Sequence, residues 1–332
     1  MRVGIVGAGF MAQTHAAAWA KTPAEIAGIH SIDRESAKRL AGAYDTRTFD
    51  SVAALLRDVD VLDICAPTHL HHEMTLQAAA TGKDIVCEKP LGRTLDQARE
   101  MIAACDKAGV KLLVGHVVRF FPQYALAKAA VDRGDVGKVG VVRLTRCSFQ
   151  PRGTGGWFMD SEKSGGMMLD LMIHDFDYAR WVAGEVESVF TRQVRSRHPD
   201  APGDYALAIL RHTNGAISNV EGGWAYPPPL FRTALEIAGD KGLIEHPASS
   251  SDPLEVHVQA SGSGERPSVA APSSPTTESP YDLEIRHFYD VLTGAVTTPR
   301  VTAADGLMAL KIAFAAIESA RTGKRVSLKE FA

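Results

Sequence analysis

The sequence lacks the features of a secreted or membrane protein. It has only four cysteines in 332 residues, and none stands in a CxxC arrangement. Isolated cysteines in apolar runs indicate buried thiols, and they argue against a disulfide framework or a zinc site. No apolar run approaches the roughly 18 residues that a membrane span needs, and we find no signal-peptide pattern before the first strand. We therefore expect a cytoplasmic protein.

The chain also lacks an excess of charge of either sign. It contains 36 Lys and Arg against 39 Asp and Glu, which gives a formal net charge of −3. No basic surface is therefore expected to attract nucleic acid or an anionic membrane. The hydrophobic share of 45% suffices for a sizeable core, and the length predicts two domains.

The first 120 residues alternate short apolar strands with helical segments. This order predicts βαβ units and a parallel sheet covered by helices on both faces, an α/β Rossmann domain over residues 1–120. The predicted strands are Val3–Val6, Ile26–Ile32, Val61–Cys65, Ile85–Cys87 and Leu112–Val114. The predicted helices are Met11–Lys21, Ser36–Ala43, His72–Thr81 and Leu95–Ala108.

Residues 121–332 show a different pattern, with longer segments in which apolar and polar residues alternate as in half-buried strands. Asn214-Gly215 marks a hairpin, and a helix is predicted over Met167–Val182. We expect an α+β domain with a mainly antiparallel sheet and a loop over Ser261–Pro280. A last helix, Thr302–Thr322, could pack back on the first domain. The predicted strands are Val139–Phe149, Glu185–Arg195, Tyr205–His212, Ala216–Trp224, Ala234–Ala238 and Gly242–Glu245.

A glycine-rich turn follows the first strand. The segment Gly7-Ala8-Gly9-Phe10-Met11-Ala12 has the form GxGxxA and opens the first predicted helix. Gly7 permits a tight turn, Gly9 lets the backbone approach a pyrophosphate, and Ala12 lets the helix pack closely on the sheet. The segment therefore predicts a dinucleotide site, with an ordinary glycine turn as the alternative.

An acidic residue stands at the end of the second strand. Asp33 lies 24 residues after Gly9, near where a dinucleotide fingerprint places an acid for the ribose hydroxyls. A carboxylate would repel a 2′-phosphate, so NAD is favoured as cofactor. The neighbouring Arg34 could hold that phosphate and keeps NADP open. A helix-capping role is the alternative for Asp33.

Three polar groups are candidates for chemistry. Glu88-Lys89-Pro90 follows a strand directly, at the ligand crevice, so Glu88 and Lys89 are predicted to contact the cofactor, with Lys89 near its nicotinamide end. A surface lysine is the alternative. Asp170 and His174 stand four residues apart, where a carboxylate can raise the basicity of an imidazole. A capping Asp and a core His are the alternative there. His116 and Arg119 lie at the crossing into the second domain, where they could touch substrate or pin the joint.

The histidines around residue 70 do not predict a metal site. His69, His71 and His72 lack an accompanying set of ligands with zinc spacing. A contact from His71 to the cofactor ribose, or a helix N-cap, is the better interpretation.

Taken together, these motifs resemble the glucose–fructose oxidoreductase and inositol dehydrogenase family, Gfo/Idh/MocA. The likeness follows the chain in order through GAGFMA, APTHLHHE, CEKPL, GHVVRFFP, SGGMMLDLMIHDFD, YDLEIRHF and ADGLMALKIAFAAIESARTGKRV. In this family the second domain is an open, mainly antiparallel sheet that often forms the oligomer interface. The resemblance therefore implies a homodimer or homotetramer.

The resemblance also implies residue roles. It makes Lys89 the contact to substrate and nicotinamide, and it makes Asp170 and His174 the pair that orients the substrate and accepts its proton. The family's TPN segment reads Ala66-Pro67-Thr68 here, which alters one contact to the cofactor. The residues predicted to face substrate are His116, Arg119, Arg152, Trp157 and Tyr281.

The predicted function is NAD(P)-dependent oxidation of a secondary alcohol to a ketone, or of a lactol to a lactone. The expected substrate is a polyol, an inositol-like cyclitol or a sugar, and no metal is needed. One alternative is an NADP-dependent keto-sugar reductase. Another is a regulator that binds dinucleotide without catalysis, although the Lys, Asp and His set argues against it.

Overall fold

The computed structural model describes residues 1–194, 205–246 and 278–331. Contacts divide the chain into two units. The first comprises Met1–Phe120 and Thr276–Leu310, and the second comprises Phe121–Pro275 and Lys311–Ala332. The first unit therefore takes in a late segment that the sequence analysis counted with residues 121–332. Most of the loop predicted over Ser261–Pro280 lies outside the described residues.

A five-stranded parallel sheet forms the centre of the first unit, in the order β2-β1-β3-β4-β5. Its strands are β1 Arg2–Val6, β2 Glu25–His30, β3 Val61–Ile64, β4 Asp84–Glu88 and β5 Leu112–Gly115. Its helices are α1 Phe10–Trp19, α2 Arg34–Ala43, α3 Val52–Leu56, α4 His71–Ala80 and α5 Leu95–Ala108. Every residue of β3 and β5 is buried, as expected of a parallel sheet covered on both faces. The predicted Rossmann architecture is confirmed.

A seven-stranded mixed sheet forms the second unit, in the order β11-β10-β6-β9-β8-β7-β12. Its strands are β6 Val139–Ser148, β7 Val186–Val194, β8 Tyr205–His212, β9 Ile217–Gly223, β10 Phe231–Gly239, β11 Leu243–His246 and β12 Val326–Ser327. Only β6 and β9 pair in parallel among these described strands. The prediction of a mainly antiparallel sheet is therefore confirmed.

Four helices precede or cover this sheet: α6 Pro122–Asp132, α7 Ser161–Ser164, α8 Met167–Asp170 and α9 Ile173–Ala183. The prediction of one continuous helix over Met167–Val182 is wrong, because a turn at Leu171 and Met172 separates α8 from α9. Met172 packs tightly against β9, where a Cβ added to Gly222 would lie 2.3 Å from the Met172 Cγ atom. The break between α8 and α9 thus coincides with a close packing contact against β9, which the helical periodicity of the sequence does not reveal.

The late part of the chain contributes two helices, α10 Pro280–Leu292 and α11 Ala303–Thr322. In the first unit α10 packs against α1. Ser279 and Asp282 form a capping box at its start, and Pro280 occupies the first turn, a position that proline favours. Helix α10 was not predicted from the sequence. No helix among the described residues is long and apolar enough to cross a membrane.

Candidate active site

The glycine turn after β1 leaves an open cradle. Gly7 has φ +114°, and a Cβ there would lie 2.6 Å from the carbonyl oxygen of Cys65, so only glycine fits. At Gly9 no atom of the described residues, apart from Gly9 and its chain neighbours, lies within 4 Å of an added Cβ. Gly9 is the N-cap of α1 and supplies no side-chain cap to that helix. The first-turn N–H groups and open space therefore fit a pyrophosphate.

The remaining residues of this turn support the same geometry. Ala12 is fully buried where α1 packs. Phe10 is exposed and Met11 is half-buried in the first turn. No acidic side chain occupies the first turn of α1 in the described structure, so nothing there repels an anion.

Asp33 caps the second helix. Its carboxylate accepts hydrogen bonds from the Ser36 backbone N–H at 3.1 Å and from the Ser36 hydroxyl at 2.7 Å. The Ser36 hydroxyl and backbone hydrogen bonds lower the pKa of Asp33, so the carboxylate is charged. Capping is thus one role of Asp33, and its contact with a ribose stays a prediction. The exposed Arg34 pairs with Asp50 at 3.4 Å.

His71 joins the loops that follow β3 and β4. Its Nε2 atom lies 2.9 Å from the Ala66 carbonyl oxygen, and its Nδ1 atom lies 2.8 Å from the Pro90 carbonyl oxygen. Burial lowers the pKa of His71, while the hydrogen bonds to the two carbonyl oxygens act in the opposite direction. Thr68 is buried and Pro67 is half-buried beside it. The ring holds two loops together at the carboxyl edge of the sheet.

Lys89 follows the last residue of β4. Its side chain is half-buried, and its backbone N–H donates to the Glu88 Oε2 atom at 3.0 Å. The Glu88 carboxylate is itself buried and also faces His15 at 3.1 Å. The prediction that Glu88 contacts the cofactor is untested, and the structure gives its carboxylate two protein partners.

Asp170 and His174 lie on either side of the helix break in the second unit. Asp170 ends α8 and is 9% exposed, and His174 is the half-buried second residue of α9. The next residue, Asp175, accepts two hydrogen bonds from Arg146 of β6. The predicted pairing of Asp170 with His174 stays a prediction.

The residues predicted to face substrate have varied surroundings. Arg119 is buried and donates to the Arg300 carbonyl oxygen at 2.8 Å and to Asp305 at 3.3 Å, so it pins the late segment of the first unit. His116 is buried just after β5. In the second unit Arg152 is exposed and Trp157 stacks on Phe158. In the first unit Tyr281 of α10 lies 6.4 Å from the His15 ring. Substrate contact by these residues stays a prediction.

Three fully buried ionisable residues of the first unit had no predicted role: His15, Asp63 and Glu284. Asp63 carried a signal, because it is a charged residue inside the apolar strand VLDI. Buried charges are rare unless paired, so this position predicts a partner. The partner could not be found from spacing, since it comes from another element.

The fold and the phosphate cradle define a class, the dinucleotide-binding proteins with a Rossmann domain and an α+β second domain. Residues 1–116 match the model of an oxidoreductase family with an NAD-binding Rossmann fold. Residues 124–245 match the model of the GFO/IDH/MocA C-terminal domain. The chain belongs to the Gfo/Idh/MocA family.

Known relatives extend this likeness over the whole chain. The chain is 30% identical over 338 residues to the uncharacterized oxidoreductase YrbE of Bacillus subtilis, covering 98% of this chain and 96% of that protein. It is 28% identical to inositol 2-dehydrogenase of Rhizobium meliloti, covering 99% of both. The crystal structure of the WlbA dehydrogenase from Bordetella pertussis with NADH and UDP-GlcNAcA superposes with a TM-score of 0.83 at 25% identity, covering 98% and 97%. The predictions of an oxidoreductase and of an NAD-binding Rossmann domain are confirmed.

Proposed function

We propose that the protein is an NAD-dependent dehydrogenase that interconverts a secondary alcohol and a ketone, or a lactol and a lactone, on a cyclitol, polyol or sugar. One observation carries the proposal: Lys89 and the phosphate cradle lie at the same edge of one parallel sheet. In that sheet β1 and β4 are separated only by β3, about 10 Å at the usual strand spacing. Ligands of open parallel sheets bind outside the carboxyl ends of the strands.

The residues divide the work as follows. Gly7, Gly9 and the first turn of α1 would hold the pyrophosphate, and Asp33 would bind the ribose hydroxyls. A bound nicotinamide cofactor would supply the hydride acceptor for oxidation of the alcohol carbon and the hydride donor for the reverse reaction. The Lys89 ammonium donates a hydrogen bond to the substrate oxygen and stabilises its developing negative charge.

The proton chemistry is assigned to the second unit. His174 accepts the hydroxyl proton, and Asp170 orients the substrate and the imidazole; the family resemblance supports both roles. An imidazole suits this step because its pKa lies close to neutral pH. No metal ion is required, because a positioned base and an ammonium supply both functions.

NAD is the proposed cofactor because the charged Asp33 carboxylate would repel a 2′-phosphate, while its two oxygens can accept hydrogen bonds from ribose hydroxyls in addition to the two from Ser36. The exposed guanidinium of Arg34 is the feature that would serve NADP. The names of relatives that act on inositol, or were crystallised with a sugar nucleotide, support the substrate class.

Self-association is proposed for the second unit. One face of β8 and β9 exposes large apolar side chains, Leu207, Ile209 and Ile217, each at least 40% exposed. Several large apolar side chains exposed on one sheet face are typical of an interface, which supports a homodimer or homotetramer. The cytoplasmic location stays a prediction.

The test is steady-state absorbance at the NADH band with purified protein, NAD or NADP, and a panel of inositols, aldoses and aldonic acids. Reduction of NAD by one compound class supports the proposal and identifies the substrate. Activity with NADP and keto sugars alone would instead identify a reductase. Dinucleotide binding without turnover of any panel member would favour the regulator.

A further inference from the structure

A cluster of ionisable side chains is buried inside the first unit. It joins His15 of α1, Asp63 of β3, Glu88 of β4 and Glu284 of α10. The side chains of His15 and Asp63 are 0% exposed, and that of Glu88 is 7% exposed. Four elements that are far apart in sequence therefore place ionisable side chains together beneath the carboxyl edge of the sheet.

His15 stands between the two carboxylates. Its Nδ1 atom lies 3.0 and 3.1 Å from the Asp63 oxygens, and its Nε2 atom lies 3.1 Å from the Glu88 Oε1 atom. Both nitrogens can donate only if the ring is an imidazolium. Burial alone would lower the pKa of His15, but the Asp63 charge outweighs it and raises that pKa well above its ordinary value. The ring is therefore held charged.

The cluster is anchored on both sides. The Trp19 indole N–H donates to the Asp63 Oδ2 atom at 2.7 Å, which fixes the carboxylate behind His15. Burial would raise the pKa of Glu88, but the hydrogen bond and charge of His15 lower it. The absence of a side chain at Gly115 leaves room for the Glu88 carboxylate, because an added Cβ would lie 3.2 Å from its Oε1 atom.

A metal-binding role fits the cluster less well. His15, Asp63 and Cys65 lie within 4.8 Å of one another, a spacing that an ion could bridge. However, both nitrogens of His15 already face carboxylate oxygens, and burial raises the pKa of the Cys65 thiol. A metal needs a free imidazole lone pair and a thiolate. Hydrogen bonding therefore explains the geometry better.

Stability alone does not account for such a cluster. Each buried ion costs several kcal/mol of desolvation, and apolar side chains of similar volume are often at least as stable. What the cluster does supply is a fixed orientation of the Glu88 carboxylate. Its last carboxylate accepts the backbone N–H of Lys89 at 3.0 Å.

We propose that His15 is a positioning residue for Lys89, acting through the carboxylate of Glu88. The imidazolium fixes Glu88, and Glu88 fixes the backbone at Lys89. Because His15 belongs to α1, these hydrogen bonds fix the Lys89 backbone relative to the helix that begins at the phosphate cradle. This inference rests on the proposed role of Lys89, and it names His15, Asp63 and Glu88 as the support of that role.

The first test replaces His15 by glutamine in the full-length enzyme. A lysine displaced by an ångström or less should lower kcat by about 10- to 100-fold, with KM and the Kd for NADH changed less than about threefold. The primary isotope effect with substrate deuterated at the reacting carbon should rise, because hydride transfer becomes slower relative to binding and release.

The matched control is His212→Gln. His212 is an equally buried histidine of the second unit, with its ring nitrogens 2.7 Å from the Gly184 carbonyl oxygen and the Ser218 hydroxyl. It should lose stability without a change in isotope effect. A kcat of His15→Gln within about twofold of wild type, or equal isotope effects in the two variants, would overturn the proposal.

A second readout does not depend on turnover. In protein labelled with ¹⁵N-lysine, the Lys89 amide proton should resonate downfield because it donates to a carboxylate, and it should move upfield in His15→Gln. If His15→Gln does not fold, Asp63→Asn removes the charge that holds the imidazolium and should give a smaller shift of the same sign. An unmoved Lys89 amide in the folded variant contradicts the proposal. A moved amide in an enzyme inactive on every substrate would instead refute the proposed function and leave the positioning intact.

Discussion

Arg146 and Asp175 form a bidentate ion pair inside the second unit, with 2.6 Å between Nε and Oδ2 and 3.1 Å between Nη2 and Oδ1. Their side chains are 3% and 0% exposed. Burial raises the pKa of Asp175, while the charge of Arg146 opposes that rise. The pair ties the start of α9, where His174 lies, to strand β6.

Arg146→Met should therefore lower the free energy of unfolding by about 3–5 kcal/mol, because Asp175 is left buried without its partner. Denaturant unfolding measures this. Arg143→Met on the same strand, which removes an exposed pair with Glu236, should change it by less than about 1 kcal/mol. Adding Asp175→Leu to Arg146→Met should recover much of the loss. Equal stability of the two single variants would contradict the assignment.

Lys89→Ala and His174→Ala should each lower kcat by about 10²–10⁴-fold, the usual worth of acid–base and charge stabilisation. NADH binding, measured by fluorescence, should survive in both variants. Lys107→Ala, at an exposed position of α5, is the control and should behave as wild type. Near-normal turnover in both variants would remove these residues from the chemistry.

The two glycines of the phosphate cradle should fail in different ways. Gly7→Ala forces a Cβ at positive φ to 2.6 Å from a carbonyl oxygen, so it should lose about 1–3 kcal/mol of stability. A Cβ at Gly9 lies in open space, with no described atom beyond its chain neighbours within 4 Å, so Gly9→Val should fold normally. Its side chain would enter the space for the pyrophosphate and weaken NADH binding at least tenfold, about 1.4 kcal/mol. Calorimetry and fluorescence titration separate the two effects, and unchanged binding by Gly9→Val would argue against the cradle.

Glu284→Gln should stabilise the protein, and more so at higher pH. Burial raises the pKa of Glu284 well above 4.5, with the neighbouring Glu88 charge acting in the same direction. Its carboxyl oxygens have no hydrogen-bond partner among the described residues. Above pH 4.5 the unfolded state loses this proton while the folded state keeps it, so wild type loses about 1.4 kcal/mol per pH unit until the raised pKa is passed.

Glutamine is neutral and of the same shape, so it lacks this loss. The difference in Tm between Glu284→Gln and wild type should therefore grow from pH 5 to pH 7. Glu278→Gln, an exposed substitution just before α10, should show no such growth. A difference independent of pH would mean that Glu284 is ionised in the folded protein.

Local signals accounted for much of the fold. Helix Leu95–Ala108 was predicted to the residue because Thr94 caps its start and Gly109 ends it with φ +69°. Strand Tyr205–His212 was likewise predicted to the residue, because an Asn-Gly turn marks its end. Each of these signals lies within a few residues of the boundary that it sets.

Other elements escaped prediction because their cause is remote or was overlooked. The break between α8 and α9 accompanies the close approach of Met172 to Gly222, 50 positions away. Helix α10 carried a readable capping box at Ser279 and Asp282. Ser279 and Pro280 were instead included in the loop predicted over Ser261–Pro280, because the segment before them is rich in Ser and Pro.

The sequence by itself determined the Rossmann alternation, the glycine cradle and the position of Lys89 after a buried strand. These depend on periodicity and on residue types that only particular backbone conformations accept. Only the tertiary structure decided which charges meet. His15, Asp63, Glu88 and Glu284 are dispersed over 270 positions, and no local rule relates them. They form one buried cluster because the parallel sheet, α1 and α10 bring distant parts of the chain together. In that low-dielectric interior, the ionisation of each group depends strongly on the others.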